Sequence, residues 1–283
     1  MIIKNFYNGE IENPELWERM DIYIDYLLKN HDAYFNNDGC LKCYRTDFNE
    51  ERLYIPDNIS LKDINFPSGV SICSLKNSQI QKFCIELQKK FDCFTEIQTS
   101  NEFIYNLDEI LKKNIYKIRR ASRELLENNV MHFENINIKN KNDAISVIKS
   151  WSRIRTHKFP EGITENKDIF YINACLSSSD NVVGLIGYID EKPISTVVAG
   201  ISGKTGTIAV AKALSGYQFN NEVFGVKGAT EASYLAMANL LYNKQLNWMN
   251  DGDSPIGSGG ERRKASWNPS HLINSYKIKL RQK

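Results

Sequence analysis

Three short apolar runs in the second half of the chain constrain its fold most. Val182–Ile189, Ile194–Ser202 and Thr207–Lys212 are joined by Asp190-Glu191-Lys192-Pro193 and by Gly203-Lys204-Thr205-Gly206. Connections this short, rich in turn residues, predict an antiparallel meander. An amphipathic helix is predicted before it, from Asn142 to about Arg155. After it come a glycine-containing segment, a helix over Ala229–Asn243 and a short strand around Leu246–Asn250.

The first half reads as α+β. Asn13-Pro14-Glu15 is a helix start, with Asn as the cap, Pro at the first helical position and an acid near the positive end of the dipole. Leu16, Met20, Tyr23 and Leu27 then keep helical spacing to about Asn30. Short apolar segments follow between Asn36 and Ile72, cut by turn clusters such as Asn36-Asn37-Asp38-Gly39. A helix is predicted from Ser78 to about Phe91, a strand over Phe94–Tyr105 and a third helix over Leu107–Asn128. That third helix carries Lys112, Lys113, Lys117, Arg119, Arg120 and Arg123 with no acid between Lys112 and Arg123. Asn128-Asn129 marks a seam. At ~150 residues per domain, the 283 residues suggest one large domain or two modest ones, the two being 1–133 and 134–283.

Composition excludes several classes. A hydrophobic fraction of 42% with 25% charged residues rules out wholesale disorder. A net charge of +2 is not that of a polybasic nucleic-acid coat, and six cysteines are too few for a disulfide scaffold. The longest nearly uninterrupted apolar run, Val182–Ile189, falls far short of the ~20 residues of a membrane-spanning helix. Met1-Ile2-Ile3-Lys4-Asn5 opens no secretory signal, so a cytoplasmic location and reduced thiols are expected.

The second-half order of helix, three antiparallel strands, glycine loop, helix and strand is similar to the core of the Gcn5-related N-acetyltransferase fold. In that fold, the helix after the meander presents its N-terminus to the donor's phosphates. Two stretches sharpen the likeness. Asn101-Glu102-Phe103-Ile104-Tyr105-Asn106-Leu107-Asp108-Glu109-Ile110, with Tyr116-Lys117-Ile118-Arg119-Arg120-Ala121-Ser122-Arg123, resembles a "D-Y-x-Y-x-x-x-x-L" plus "K-x-x-x-x-R-N" segment. Asn250-Asp251-Gly252-Asp253-Ser254-Pro255-Ile256-Gly257, Gly259-Gly260 and Lys264-Ala265-Ser266-Trp267-Asn268-Pro269 resemble a closing pattern "N-x-x-E/D-D-x-G-x-x-G-L-R-x-x-K-x-S-x-x-P". Both belong to the family named for the C-terminal domain of phosphatidylglycerol lysyltransferase. Aligning Lys264, Ser266 and Pro269 sets Glu261 where that family has arginine, with Arg262 and Arg263 displaced.

The resemblance implies an α+β fold of two tandem acetyltransferase-like domains, each a mostly antiparallel sheet flanked by helices. It implies transfer of an acyl or aminoacyl group to an amine or hydroxyl of a small-molecule or peptide acceptor. Aminoacyl-tRNA is the family's donor and acyl-coenzyme A that of the wider fold, either one a co-substrate and not a resident cofactor. Because tandem domains mimic a dimer within one chain, a monomer is expected.

Asp251 and Asp253, expected in a loop just after the last strand, could hold an amine; Asp-Gly-Asp also reads as a turn capping local N–H groups. Arg262, Arg263 and Lys264, beside Trp267, could clamp donor phosphates. Lys277, Lys279, Arg281 and Lys283 read as a solvated tail. Gly225, Lys227 and Gly228 open a helix and could cradle phosphate on backbone N–H groups. Tyr276 is a candidate general acid on the resemblance alone. Lys117, Arg119 and Arg120 could contact tRNA, or the helix could simply be a surface one with pairs such as Arg123–Glu127 outside. Cys40-Leu41-Lys42-Cys43 lacks the second ligand pair of a zinc site, so no metal is expected, and His157 with Cys175 is a weak nucleophile pair. The rival from another class is a non-catalytic RNA- or protein-binding module that keeps the fold.

Overall fold

In the computed structural model of the chain, the described residues are 21–45, 49–56, 59, 64, 66, 69–89, 94–112, 116–156, 165–177, 180–219, 222–254 and 259–280. The first half runs α1 (Asp21–Asn30), β1 (Asp32–Phe35), β2 (Leu41–Arg45), β3 (Glu50–Tyr54), β4 (Ser71–Lys76), α2 (Asn77–Gln88), β5 (Phe94–Asn106), α3 (Leu107–Lys112) and α4 (Tyr116–Leu126). The second runs β6 (His132–Asn135), α5 (Lys141–Thr156), α6 (Glu165–Ala174), β7 (Val182–Ile189), β8 (Lys192–Ser202) and β9 (Thr205–Ala213). It continues with β10 (Ser215–Phe219), β11 (Glu222–Gly225), α7 (Ala229–Asn243), β12 (Trp248–Ser254), α8 (Gly259–Ala265) and β13 (His271–Leu280).

The meander forms as expected. β7 pairs antiparallel with β8, and β8 with β9. Asp190 and Glu191 at the first turn both have positive φ, 46° and 59°, the primed-turn geometry that matches strand twist. Among the described residues, eleven strands make one sheet in the order β1-β2-β3-β4-β13-β5-β12-β9-β8-β7-β6, while β10 and β11 form a separate hairpin. β13, from the far end of the chain, lies between β4 and β5 of the first half, so the two halves of the sequence are interleaved in one sheet.

Strand alternation sends neighbouring residues into two cores. Ile186 and Val198 join Tyr23, Ile24, Ala144, Ile148 and Tyr171 of α1, α5 and α6 on one face. Leu185 and Val197 join Tyr234, Met237 and Leu241 of α7 on the other. Leu41, Cys43, Tyr54 and Cys73 of β2–β4 also belong to the first core, so the sheet wraps around α1 and α6. Gly206 lets α7 lie close: a Cβ there would stand 2.5 Å from Leu241 Cδ2.

Three sequence expectations are corrected. The third helix is two, α3 and α4, with residues 113–115 outside the described set. The last short strand continues through Ser254, so Asp251 and Asp253 lie in β12 and not in a loop after it. The expected tail is β13, apart from residues 281–283, which lie outside the described set. The start of the first helix, at Asn13, also lies outside it.

Lys277 of β13 shows how the last strand is held. Its Nζ donates to Glu50 Oε1 at 2.9 Å, where Ser71 Oγ also donates at 2.7 Å, and Arg52 Nε donates to Glu50 Oε2 at 3.0 Å. Burial alone would raise the Glu50 pKa, but these three donors outweigh it and hold the carboxyl down at about 2. A depressed folded-state pKa stabilises above the ordinary value of 4.5, and that stability is lost as pH falls toward 2. Glu50→Gln is expected to remove about 2–3 kcal/mol at pH 7 and to flatten the melting-temperature profile between pH 4.5 and 2. An unchanged acid limb would refute this.

Candidate active site

β12 runs parallel to β9 for only three pairs, Trp248–Thr205, Met249–Gly206 and Asn250–Thr207. Beyond Asn250 the ladder ends. Against β5, the same strand slips register between Asn250 and Asp253. Gly252, at φ 69°, supplies the left-handed residue this bulge needs.

The bulge separates the two candidate acids. In a regular strand, residues 251 and 253 would share a face. Here Asp251 turns to the α7 face, where the Tyr234 hydroxyl donates to its Oδ1. Asp253 is instead registered opposite Glu102, which accepts from Asn250 Nδ2 at 2.6 Å on the other face. Asp253 is also among the charges felt by Lys167 of α6.

Around Asp251, α7 and α8 assemble a stacked cation. Arg263 lies 4.9 Å from the Trp267 ring centroid and 5.5 Å from that of Tyr234, with Nη2 3.7 Å from Asp251 Oδ2. The two rings meet edge to face at 5.0 Å. The Asp251 side chain is 1% exposed, whereas that of Arg263 is 37% exposed. Arg263 therefore faces solvent and Asp251 backs it. Burial disfavours the Arg263 charge, but Tyr234 and Asp251 outweigh it and push the guanidinium pKa up. Burial first, and Asp251 second, push the Tyr234 phenol up. Tyr234 therefore stays a hydrogen-bond donor at neutral pH.

Lys264 has a different place. Its Nζ donates to the carbonyls of Asp251, Gly252 (3.2 Å) and Asp253 (3.0 Å), so its three protons tie down the bulge. Tyr105 Oη donates to the Lys264 carbonyl at 2.9 Å and fixes α8 to β5. Glu261 accepts from Asn101 Nδ2 at 3.1 Å, and Arg262 is exposed.

The glycine segment before α7 lies against the β10–β11 hairpin. Gly225 has no room for a side chain, because a Cβ would stand 1.6 Å from the Leu214 carbonyl oxygen, and its φ is 72°. Gly228 is the α7 cap and offers no side-chain acceptor to the helix N-terminus. Lys227 beside it is exposed. Gly228 and Ala229 are themselves buried and the Ala229 N–H donates to the Val226 carbonyl at 3.2 Å, so Val226 and Lys227 are the exposed residues at this end of α7.

Other candidates lie elsewhere. Tyr276 packs with Ile278 and Leu280 in the first-half core, and Asn274 Nδ2 donates to its hydroxyl at 3.3 Å. It is registered against Gln98, while Asp253 is registered against Glu102, which puts it ~16 Å from Asp253 along and across the sheet. The structure does not bring it to Asp251. α4 packs on the α7 side through Leu125 and Leu126, with Arg120 exposed and Arg123 Nε 3.5 Å from Glu127 Oε1. The side chains of Lys117 and Arg119 lie outside the described set. Cys40 and Cys43 are buried, and burial pushes the Cys40 thiol up to about 11. Burial pushes Cys175 up to about 12, and its Sγ donates to the Tyr171 carbonyl at 3.4 Å; His157 lies outside the described set.

No family model and no curated protein matches the sequence. Solved structures do. A conserved protein of unknown function from Bacteroides thetaiotaomicron is 15% identical, with a TM-score of 0.74 over 95% of this chain and 93% of that one. L-PGS from Bacillus licheniformis is 10% identical, with a TM-score of 0.63 over 95% and 88%. A C-terminal domain assigned to a lysylphosphatidylglycerol synthetase from Agrobacterium fabrum is 14% identical, with a TM-score of 0.61 over 89% and 85%. The chain has the tandem acetyltransferase-like fold. The β9–β12 ladder end and the N-terminus of α7 both lie in the half that carries the meander. The two segments resembling the lysyltransferase family, on β5 and on β12–α8, pack together through Tyr105, Lys264 and Trp267. Sequence reasoning missed Tyr234. Only its place on α7, 17 residues before Asp251, carries it to the site. Among the described residues, no helix is long and apolar enough to cross a membrane.

Proposed function

We propose that the chain is an acyl- or aminoacyltransferase whose phosphate-bearing donor lies along the N-terminus of α7 and reaches the end of the β9–β12 ladder. The observation that carries this reading is Arg263, stacked on Trp267 and Tyr234 and backed by the buried Asp251, at the point where the two strands cease to pair. A solvent-facing guanidinium with a fixed plane suits an anionic group of the donor. The edge of β9 past Thr207, released from β12, offers backbone N–H to a carbonyl oxygen as charge develops on it. An acceptor amine then attacks the acyl carbon, the new bond to nitrogen forms, the donor's sulfur or ribose oxygen leaves with the electron pair, and the proton shed by the amine passes to that leaving group. The site's work is to orient the two partners and stabilise the oxyanion, and positioning alone can supply ~7–11 kcal/mol.

The donor class is tested on α4. Reversing Lys117, Arg119 and Arg120 together to glutamate is expected to weaken use of charged tRNA by at least ~10²-fold and to flatten its salt dependence, because fewer counterions are released. Use of acyl-coenzyme A would change less than about twofold, because the α7 terminus and Arg263 are untouched. The first experiment is thermal-shift binding with coenzyme A thioesters and a charged tRNA pool. A ligand at ~100 times its Kd stabilises by ~2.7 kcal/mol. Silence from both donor classes would overturn the transferase reading in favour of a binding module.

A further inference from the structure

The face of the sheet turned away from α7 carries a polar patch at the end of the β9–β12 ladder. Met249 and Gly206 lie on the α7 side, so their neighbours Asn250 and Thr207, in register with each other on β12 and β9, lie on the opposite side. Glu102 of β5 is on that side too, where Asn250 Nδ2 donates to its Oε2 at 2.6 Å. Past the Gly252 bulge, Asp253 is registered directly opposite Glu102 and shares its face. Register and hydrogen bonding thus bring Thr207, Asn250, Glu102 and Asp253 together from three adjacent strands.

Two features of this patch have no purpose in the fold. Carboxylates directly opposite each other on paired strands repel. Glu102 is nonetheless fully buried, and Asp253 makes no side-chain hydrogen bond or ion pair among the described residues; Lys167 of α6 feels its charge without pairing with it. The second feature is Thr207, fully buried with a hydroxyl that has no hydrogen-bond partner among the described residues. Its neighbour on β8 is Gly200, which brings no side chain to that place. A buried hydroxyl left unpaired is costly, and valine would fill the same space.

We infer that the patch is a binding site for a primary ammonium group, accepted by the Glu102 and Asp253 carboxylates and the Thr207 hydroxyl. An ammonium brings one positive charge between the two carboxylates and three N–H donors to the three acceptors. Strand spacing and rise set the Thr207 and Asp253 Cα atoms ~8 Å apart, so one nitrogen between their side chains reaches both. Two carboxylates and a hydroxyl fall short of the ~6–8 oxygens that calcium takes. The patch is one side chain from water: on this face Glu102 is flanked by Asp253, which is exposed, and by Ile273 of β13, which is half-buried. Two amines have the required chemistry, the acceptor's nucleophile and the α-ammonium of an aminoacyl donor. Either role rests on the transferase reading; the ammonium site itself does not.

The test is calorimetric binding of propylammonium and of glycinamide to the whole chain at pH 7 and constant ionic strength, without any donor. Tetramethylammonium, a cation with no N–H, is the control and is expected not to bind. Propylammonium binding alone assigns the site to an acceptor amine and glycinamide binding alone to an aminoacyl α-ammonium; binding of either supports the inference. Asp253→Asn, at an exposed position, is expected to weaken the bound probe about tenfold, and Glu102→Gln by more than that. Thr207→Val is expected to keep or raise the melting temperature of the free protein while weakening the probe severalfold. Arg263→Ala, on the α7 side, should leave the affinity unchanged. No binding of either amine overturns the inference. So does equal binding of tetramethylammonium, or amine binding that Asp253→Asn and Thr207→Val leave intact. Silence from every acyl donor with amine binding retained would defeat only the transferase reading.

Discussion

Arg263→Ala is expected to lower kcat/KM for acyl transfer by about 10–10²-fold, the loss of one charge-assisted contact to the donor's anionic group. The guanidinium is held in one plane by Trp267 and Tyr234 and in one direction by Asp251, so little reorganisation is left for the moment of reaction. Arg263→Lys should recover little, because an ammonium neither stacks on the two rings nor presents a fork. Asp251→Asn separates positioning from contact. The neutral amide keeps a partner for the Tyr234 hydroxyl but loosens Arg263, and a loss of about tenfold, mostly in kcat, is expected. The same change leaves the buried Lys264, its Nζ 3.8 Å from Asp251 Oδ1, without its neighbouring negative charge, so a loss of stability is expected alongside. Wild-type kcat/KM in Arg263→Ala would remove this arginine from the site.

Lys264→Met is expected to act on the fold instead. Three carbonyls of the bulged segment lose their donor, and the Asp251 carboxylate, 3.8 Å from Nζ, loses a nearby positive charge. Leaving buried acceptors unpaired and a buried carboxylate less compensated gives a loss of about 3 kcal/mol. A melting-temperature drop of several degrees is the readout for a chain of this size. Lys264→Arg should not rescue it, since a planar fork cannot address three carbonyls grouped around one nitrogen. A Lys264→Met protein that melts like wild type would show that the bulge is held by β5 alone.

The parts of the fold that were legible from sequence are those decided locally. Val182–Ile189 is found as a strand with the same limits, and α7 covers Ala229–Asn243 as expected. Both are specified by residues within a few positions: alternation and turns for the strand, a glycine-led apolar run for the helix. β13 was not legible in this way. Its lysines, Lys277 and Lys279, look like a solvated tail until Glu50, 227 positions away, accepts from one of them. Asp251-Gly252-Asp253 reads as a turn for a sound local reason, its composition, and only pairing with β5 makes it a bulged strand.

The candidate site divides along the same line. The chain's order alone determined the meander, the glycine-led helix after it, and the cluster Arg262-Arg263-Lys264 following an Asp-Gly-Asp. Sequence treats those three cations as one group. In α8, successive residues turn by about 100°, so the three point in different directions. Arg262 is exposed, Arg263 meets two rings and a carboxylate, and Lys264 is buried on the bulge carbonyls. Likewise, one left-handed glycine sends Asp251 and Asp253 to opposite faces of the sheet. Side-chain direction depends on which strand lies alongside and which helix crosses above, and those partners come from distant parts of the chain.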